Sequence, residues 1–318
     1  MMGFPLGSKQ LSRRALRRRT LVYYAWRFLT NGGRSARAML SPHRHRDSGV
    51  VGRELANNGI AVGQPERFLA GDGRRALSEA AARVLAASRS SAVTEAIQGR
   101  RSGPKRKKDF LVHLVSYKEG MEADDPLLEV ALDTKLLEIV AAYLGMWPCL
   151  HSVDAWLNFP TEAAPELSQL WHRDPEDLQL VKVFIYLSDV GDCSGPFTYV
   201  PQTQPFGRKT GAARRLDKHK RLPDRVMSRV FPPEEWRTCT GPAGTMILAD
   251  TVGYHRGGKP LAGQRILVTF TYTSGSPITN RALWLRTAPD WASAAIQQFA
   301  CRSLVGSRPT PVRRHDAM

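Results

Sequence analysis

The stretch that decides the fold is Gly244–Phe270, which reads GTMILADTVGYHRGGKPLAGQRILVTF. It begins with an apolar run at 245–249, passes through a glycine-rich turn containing His255, and enters a run of alternating side chains at 265–273. Alternation with a period of two is typical of a β-strand with one polar and one apolar face. The stretch therefore predicts two strands joined by a turn, with Arg265 at the start of the more polar face.

The same period extends upstream to residue 149. The further candidate strands are 150–159, 180–187 and 197–200. Turn signals such as Ser194-Gly195-Pro196 separate them. Short strands at this spacing, without helices between them, predict a sandwich or barrel rather than a parallel α/β sheet.

Helices are predicted mainly before these strands. Residues 74–91 are rich in alanine and leucine, and residues 126–144 carry apolar side chains at helical spacing. The second segment has Asp124 and Asp125 as candidate N-caps, and Gly145 follows its last turn. A further helix is expected within 281–301.

Two segments carry residue types that bind metals. Trp171–Asp177 reads WHRDPED, and on an extended chain His172 and Asp174 point to the same face. Together with His255 they make two imidazoles and one carboxylate, the set that leaves open positions in non-haem iron(II) enzymes. A structural zinc site would instead have four protein ligands. Arg265 lies ten residues after His255, where a guanidinium can bind a carboxylate through two parallel hydrogen bonds.

The segment 171–274 resembles the phytanoyl-CoA dioxygenase family of iron(II)- and 2-oxoglutarate-dependent oxygenases. The resemblance rests on WHRDPED, on VKVFIYLSDVGDCSGPFTYVPQTQ at 181–204, and on the stretch quoted first. It implies a mainly β fold with flanking helices, a double-stranded β-helix (a cupin-like jelly roll). It also implies that His172, Asp174 and His255 bind iron(II), and that Arg265 binds the far carboxylate of 2-oxoglutarate.

The resemblance further implies that Lys182 and Phe184 face the cofactor, on one side of the strand 180–187. Dioxygen is then the second cosubstrate, and hydroxylation of a C–H bond is the expected reaction because Asp174 is retained as the carboxylate ligand. This chain departs from the family at two places. Gly257 stands where some members have a small polar residue, and Pro201-Gln202-Thr203-Gln204 replaces the usual Pro-Gly-Ser-His turn.

The chain has a formal net charge of +17 and a pI near 10.2. Much of the excess lies in three segments: 1–46, which holds eleven Lys or Arg and no acid, then 100–108, and 208–221. Solvated tail and loop charge, organelle targeting by the N-terminus, and attraction to an anionic partner all remain open. A nucleic-acid partner is disfavoured because no helix-turn-helix, zinc-finger or RRM signature accompanies the charge.

Other classes of protein fit less well. No apolar run reaches the length of a membrane span, and the four scattered cysteines fit a reducing compartment, so a cytoplasmic location is expected. The alternatives to an oxygenase with a small-molecule substrate are a non-catalytic metal-binding jelly roll and an oxygenase acting on a nucleic-acid-associated target. The basic segment 206–236 is expected to cover the site and contact the substrate, which would suit an anionic group.

The expected organisation has four parts. Residues 1–50 form a basic tail, and residues 51–109 form a helical portion with a basic linker. Residues 110–275 form the oxygenase core, and residues 276–318 form a C-terminal helix and tail.

Overall fold

The computed structural model describes residues 45–102, 108–115, 117, 120–218, 220–280 and 283–306, with residues 25, 29 and 33. Most of the two expected basic tails therefore lies outside the described residues. Within them, two antiparallel sheets face each other, and helices cover the outer face of the larger sheet. This is the mainly β jelly roll with flanking helices that the sequence predicts.

The larger sheet contains six strands in the order β1-β7-β4-β9-β3-β2. Their bounds are β1 Ile60–Gly63, β2 Leu111–Val115, β3 Cys149–Asn158, β4 Val181–Tyr186, β7 Met246–Ala249 and β9 Arg265–Thr273. The predicted strands match β3, β4, β7 and β9 within one residue at each end. The pattern missed the two edge strands, β1 beside β7 and β2 beside β3, because runs of four and five residues are too short to establish a period.

The smaller sheet contains three strands in the order β6-β5-β8. They are β5 Phe197–Tyr199, β6 Arg237–Cys239 and β8 His255–Gly257. From β4 onward the chain passes repeatedly between the two sheets, so that β8 of the small sheet lies between β7 and β9 of the large one in sequence. This alternation brings the turn containing His255 over the inner face of the large sheet.

Alternation along β4 and β9 divides their side chains between two environments. Val181, Val183 and Ile185 join Val268 and Phe270 in the main hydrophobic core under the helices. The other face of each strand points toward the small sheet, where Tyr186 and Leu267 lie in a second apolar cluster. The polar face of β9, which begins with Arg265, is thus directed between the sheets, as the sequence predicts.

The helices of the N-terminal half are α1 Arg46–Asn58, α2 Pro65–Phe68, α3 Gly71–Ser88, α4 Ser91–Ser102, α5 Pro126–Ala131 and α6 Thr134–Leu144. The prediction of one continuous helix at 126–144 is wrong. The side chain of Asp133 accepts hydrogen bonds from the backbone N–H groups of Leu136 and Ala70, and it therefore begins a new helix. Asp125 and Gly145 cap the two outer ends as predicted.

The later helices are short: α7 Thr210–Ala213, α8 Asp224–Met227 and α9 Ala295–Cys301. Within the expected helix at 281–301, the structure describes residues 283–301, and of these only Ala295–Cys301 are helical. Among the described residues, no helix has the length and apolar character needed to cross a bilayer.

The segment 206–236 packs against the outside of the segment that contains Trp171 and His172. Its apolar residues form a small cluster with Trp171, Val200 and Tyr254. Leu222 exchanges two backbone hydrogen bonds with Trp171, of 2.9 and 3.0 Å. The segment thus holds the chain next to His172 in an extended conformation.

Candidate metal centre and cosubstrate site

Backbone pairing brings the three predicted ligands together. His172 and His255 exchange N–H···O hydrogen bonds of 2.9 and 3.1 Å, so the segment 171–174 runs antiparallel to β8. Asp174 donates its backbone N–H to the carbonyl of Thr251 at 2.8 Å. The three side chains come from segments about 80 residues apart in the chain, yet they face one another across this bridge.

The ligand atoms of His172, Asp174 and His255 all lie within 4.8 Å of one another. The Nε2 atoms of His172 and His255 are 3.7 and 3.6 Å from the carboxylate oxygens of Asp174. Each Nδ1 instead faces a backbone carbonyl, that of Leu170 at 2.8 Å and that of Gly253 at 3.1 Å. Because a carbonyl oxygen only accepts, each Nδ1 carries the proton and each Nε2 directs its lone pair at the centre.

The charges at this centre suit metal binding. Burial, together with the neighbouring His255, lowers the pKa of His172 to about 3, and burial also lowers the pKa of His255. Burial alone would raise the pKa of Asp174, but the Lys182 ammonium and the two imidazoles hold it well below its ordinary value. Near neutral pH the centre therefore presents two neutral imidazoles and one carboxylate, which are the protonation states that a metal ion requires.

Lys182 lies closer to the predicted metal centre than the sequence indicates. Its ammonium is 2.6 Å from Oδ2 of Asp174 and 3.8 Å from a carboxylate oxygen of Glu176. Burial would lower the pKa of Lys182, but the two acids raise it above its ordinary value. The Lys182–Asp174 pair is largely shielded from water, so each charge depends on the other.

Lys182→Met is expected to lower the free energy of unfolding of the metal-free protein by about 3 kcal/mol, because Asp174 keeps its charge without a counterion. Added Mn²⁺ should shrink this loss, since the metal supplies positive charge to the same carboxylate. Chemical denaturation with and without Mn²⁺ measures both values. Lys218→Met, at an exposed lysine, is the control. An equal loss in the two conditions would show that Lys182 acts only by packing.

Arg265 is a buried cation, with 5% of its surface exposed. Its Nε has no hydrogen-bond partner, and its guanidinium forms no ion pair within the part of the chain that the structure describes. Burial lowers its pKa. A buried guanidinium without an acid costs free energy unless an anionic ligand occupies the site.

Gly257 explains how Arg265 fits beneath the small sheet. A Cβ atom at position 257 would lie 3.2 Å from a terminal nitrogen of Arg265. His255 and Gly257 share one face of β8, so the guanidinium lies against the same face of this strand as the second imidazole. Glycine at position 257 therefore leaves room for the arginine.

Aromatic rings separate the centre from the apolar interior. Phe184 points between the sheets, with its ring centroid 4.5 Å from that of Phe197. Phe197 in turn stacks on the ring of His255 at 5.6 Å. These rings form an apolar wall beside the imidazoles and limit the entry of water.

Asp250 anchors the turn that leads from β7 to His255. Its carboxyl accepts hydrogen bonds from the Tyr143 hydroxyl at 2.5 Å and from the Val252 backbone N–H at 2.9 Å. Its own carbonyl accepts one from the Tyr199 hydroxyl at 3.0 Å. Burial raises the pKa of Asp250 to about 7, against the effect of these donors. The turn carrying His255 is thus tied to helix α6 and strand β5.

The Asp250→Asn variant is expected to gain stability relative to the natural chain as the pH rises. The unfolded chain loses this proton near the ordinary carboxyl pKa, whereas the folded chain keeps it until about pH 7. Between these values the folded state holds more protons, so the natural chain loses stability with rising pH, by up to about 4 kcal/mol. Denaturation at about pH 4, 6 and 8 measures the difference, with the exposed Asp192→Asn as the control. A difference independent of pH contradicts this account.

Several residues at the site were not predicted. Asp154 and Trp156 lie on the inner face of β3, and Arg221 lies near enough to lower the pKa of both histidines, after the larger effect of burial. A charged residue in the middle of an alternating strand was the available signal for Asp154. Of the predicted basic lid, Arg214 and Arg215 are exposed.

Comparisons with known proteins concern the fold. No protein-family model and no curated protein matches the chain. Solved structures similar to it include the non-heme α-ketoglutarate-dependent epimerase SnoN from nogalamycin biosynthesis, at 16% identity and a TM-score of 0.45, covering 72% of this chain and 82% of that one. EctD from S. alaskensis with bound Fe has 16% identity and a TM-score of 0.46, covering 85% and 87%. AviO1 from Streptomyces viridochromogenes Tue57 has 18% identity and a TM-score of 0.44, covering 73% and 97%.

Proposed function

We propose that this protein is an iron(II)- and 2-oxoglutarate-dependent oxygenase that hydroxylates a small organic substrate. The observation that carries the proposal is the unpaired, buried guanidinium of Arg265 beside an intact set of two histidines and one carboxylate. A metal site by itself does not require such a cation. A cosubstrate with a chelating end and a distant carboxylate uses both features.

The residues at the site fit both iron(II) and 2-oxoglutarate. His172, Asp174 and His255 would hold iron(II) on one side, leaving the other side open, as non-haem iron sites require. Arg265 would donate two parallel hydrogen bonds to the far carboxylate of 2-oxoglutarate and neutralise it. When bound, iron(II) and the oxoacid supply the activation of dioxygen, by which a C–H bond becomes C–OH while 2-oxoglutarate becomes succinate and carbon dioxide.

The remaining roles belong to the chain itself. The carbonyls of Leu170 and Gly253 orient the imidazoles, and Lys182 restricts the carboxylate of Asp174. Phe184 and Phe197 exclude water from the apolar side of the site. We propose hydroxylation, rather than transfer of a halide, because Asp174 supplies the carboxylate that related halogenases lack.

An anaerobic titration of the purified protein with iron(II) and 2-oxoglutarate tests the proposal. A weak visible charge-transfer band is expected when the oxoacid chelates the iron. Release of succinate that depends on oxygen and on a substrate separates an oxygenase from a metal-binding protein without activity. Folded protein that binds iron but gives no band would favour the non-catalytic alternative.

A further inference from the structure

The inner face of the large sheet has two different halves. On β1 and β7 it is apolar, whereas on β4 it changes from the partly exposed Lys182 and Phe184 to the buried Tyr186. Ile60, Tyr186 and Ile247 are fully buried against the small sheet. On β3 it is polar, and Ser152, Asp154 and Trp156 all retain partial exposure. The small sheet thus covers one half, and we call the partly exposed inner face of β3, at Ser152, Asp154 and Trp156, the groove over β3.

The groove lies next to the proposed metal centre. Asp154 pairs across the sheet with Thr269, whose other neighbour on β4 is Phe184. Asp154 is also close enough to Lys182 for the two side chains to affect each other's pKa. A molecule in the groove would therefore lie beside the ammonium that contacts Asp174.

Asp154 is a partly buried acid without a cation of its own. Its carboxyl is hydrogen-bonded to Ser152, whose hydroxyl also lies 3.1 Å from that of Thr271. Burial raises its pKa, although Lys182 and His113 act in the opposite direction. Among the described residues no Lys or Arg forms an ion pair with it, since Lys182 is taken up by Asp174 and Glu176.

With iron(II) and 2-oxoglutarate bound, the shielded charges of the site would sum to one net negative charge. Iron(II) and 2-oxoglutarate would cancel each other, and the cations of Lys182 and Arg265 offset Asp174 and Glu176. Asp154 then remains. The other basic groups near the centre and the groove, Arg221, Lys108 and His113, are exposed, so solvent screens them more than it screens Asp154.

We infer that Asp154 determines substrate specificity, by binding a cationic group, an ammonium or guanidinium, of the substrate in the groove over β3. The inference rests on the proposed function, which supplies the reaction at the adjacent centre. It differs from the expectation of an anionic substrate, because it follows the charge beside the metal rather than the net charge of the whole chain. An ion pair at Asp154 would fix the distance between the substrate's nitrogen and the C–H bond that reacts.

Three probes of equal size test the inference: n-butylammonium, 1-butanol and butyrate. Each is titrated anaerobically into protein loaded with iron(II) and 2-oxoglutarate, and broadening of its NMR lines by the paramagnetic iron reports binding near the centre. Surface binding of butyrate to this basic protein would not give such broadening. We expect saturable broadening of n-butylammonium, with an affinity at least about 10-fold above that of the other two probes.

Variants test whether the preference for n-butylammonium depends on Asp154. Asp154→Asn keeps the size of the side chain and should reduce the preference to less than about twofold, whereas Asp154→Glu should retain part of it. Glu95→Gln, an exposed change of equal charge, should behave as the natural chain. Stronger binding of butyrate or 1-butanol, absence of saturable broadening, or an unchanged preference in Asp154→Asn would each overturn the inference.

The same samples separate this inference from the proposed function. If the charge-transfer band forms but n-butylammonium is not preferred, the oxygenase proposal stands and the role of Asp154 is wrong. If neither iron nor oxoacid binds, the proposed function fails, and the inference that rests on it fails with it.

Discussion

Asp174→Ala is expected to abolish iron-dependent turnover of 2-oxoglutarate, with a loss of at least about 1000-fold. The substitution removes the carboxylate that faces both Nε2 atoms at 3.6–3.7 Å. Two imidazoles alone would bind iron(II) weakly, and no other carboxylate among the described residues completes the set. Succinate release under saturating iron(II), oxoacid and dioxygen measures the effect. His172→Ala should give the same result.

This test must distinguish a loss of folding from a loss of catalysis. Removing Asp174 leaves the largely buried ammonium of Lys182 without its closest partner, which costs stability. The double variant Asp174→Ala with Lys182→Met removes both charges and should fold better than the single variant, yet remain inactive. Asp192→Ala, at an exposed acid, should keep full turnover. Turnover retained in a folded Asp174→Ala protein would contradict the assignment of the metal centre.

Arg265→Met is expected to weaken binding of 2-oxoglutarate at least about 100-fold, because a bidentate, charge-assisted contact in a buried site is lost. The metal-free protein should be as stable as the natural chain or more stable, since a buried charge without a partner is removed. This combination distinguishes a ligand-binding arginine from a structural one, whose loss would lower stability. Titration of the charge-transfer band and chemical denaturation measure the two quantities.

An analogue of 2-oxoglutarate that lacks the far carboxylate provides the control for Arg265. The analogue 2-oxopentanoate has the chelating end of 2-oxoglutarate but no far carboxylate, so its affinity should be nearly the same for Arg265→Met and the natural chain. The preference for 2-oxoglutarate over 2-oxopentanoate should therefore disappear in the variant. A preference that persisted would mean that another group binds the far carboxylate.

The basic composition of the whole chain and the charges beside the proposed metal centre favour different substrates. The net charge of +17 suggested an anionic substrate, but Arg214 and Arg215 in the segment over the site are exposed. Next to the centre, Asp154, Asp174 and Glu176 surround a single lysine. Net charge sums over the whole surface, whereas recognition depends on the few groups that a ligand shields from water.

The amino-acid sequence by itself determined the central strands β3, β4, β7 and β9 and the candidate ligands. Alternation at 265–273 predicted both the strand and the inward direction of Arg265, because the side-chain period of an extended chain is a local property. The spacing of His172 and Asp174 placed both on one face for the same reason. Capping residues such as Asp125 and Gly145 act within one helical turn and were likewise predicted correctly.

Tertiary structure decided which of these groups are paired and which are not. The ammonium of Lys182 contacts Asp174, Arg265 has no acid among the described residues, and Asp154 is partly exposed on the inner face of β3. The break at Asp133 likewise depends on the backbone N–H of Ala70, 63 residues earlier. Burial and pairing depend on which distant segments come together, and a local pattern carries no information about that.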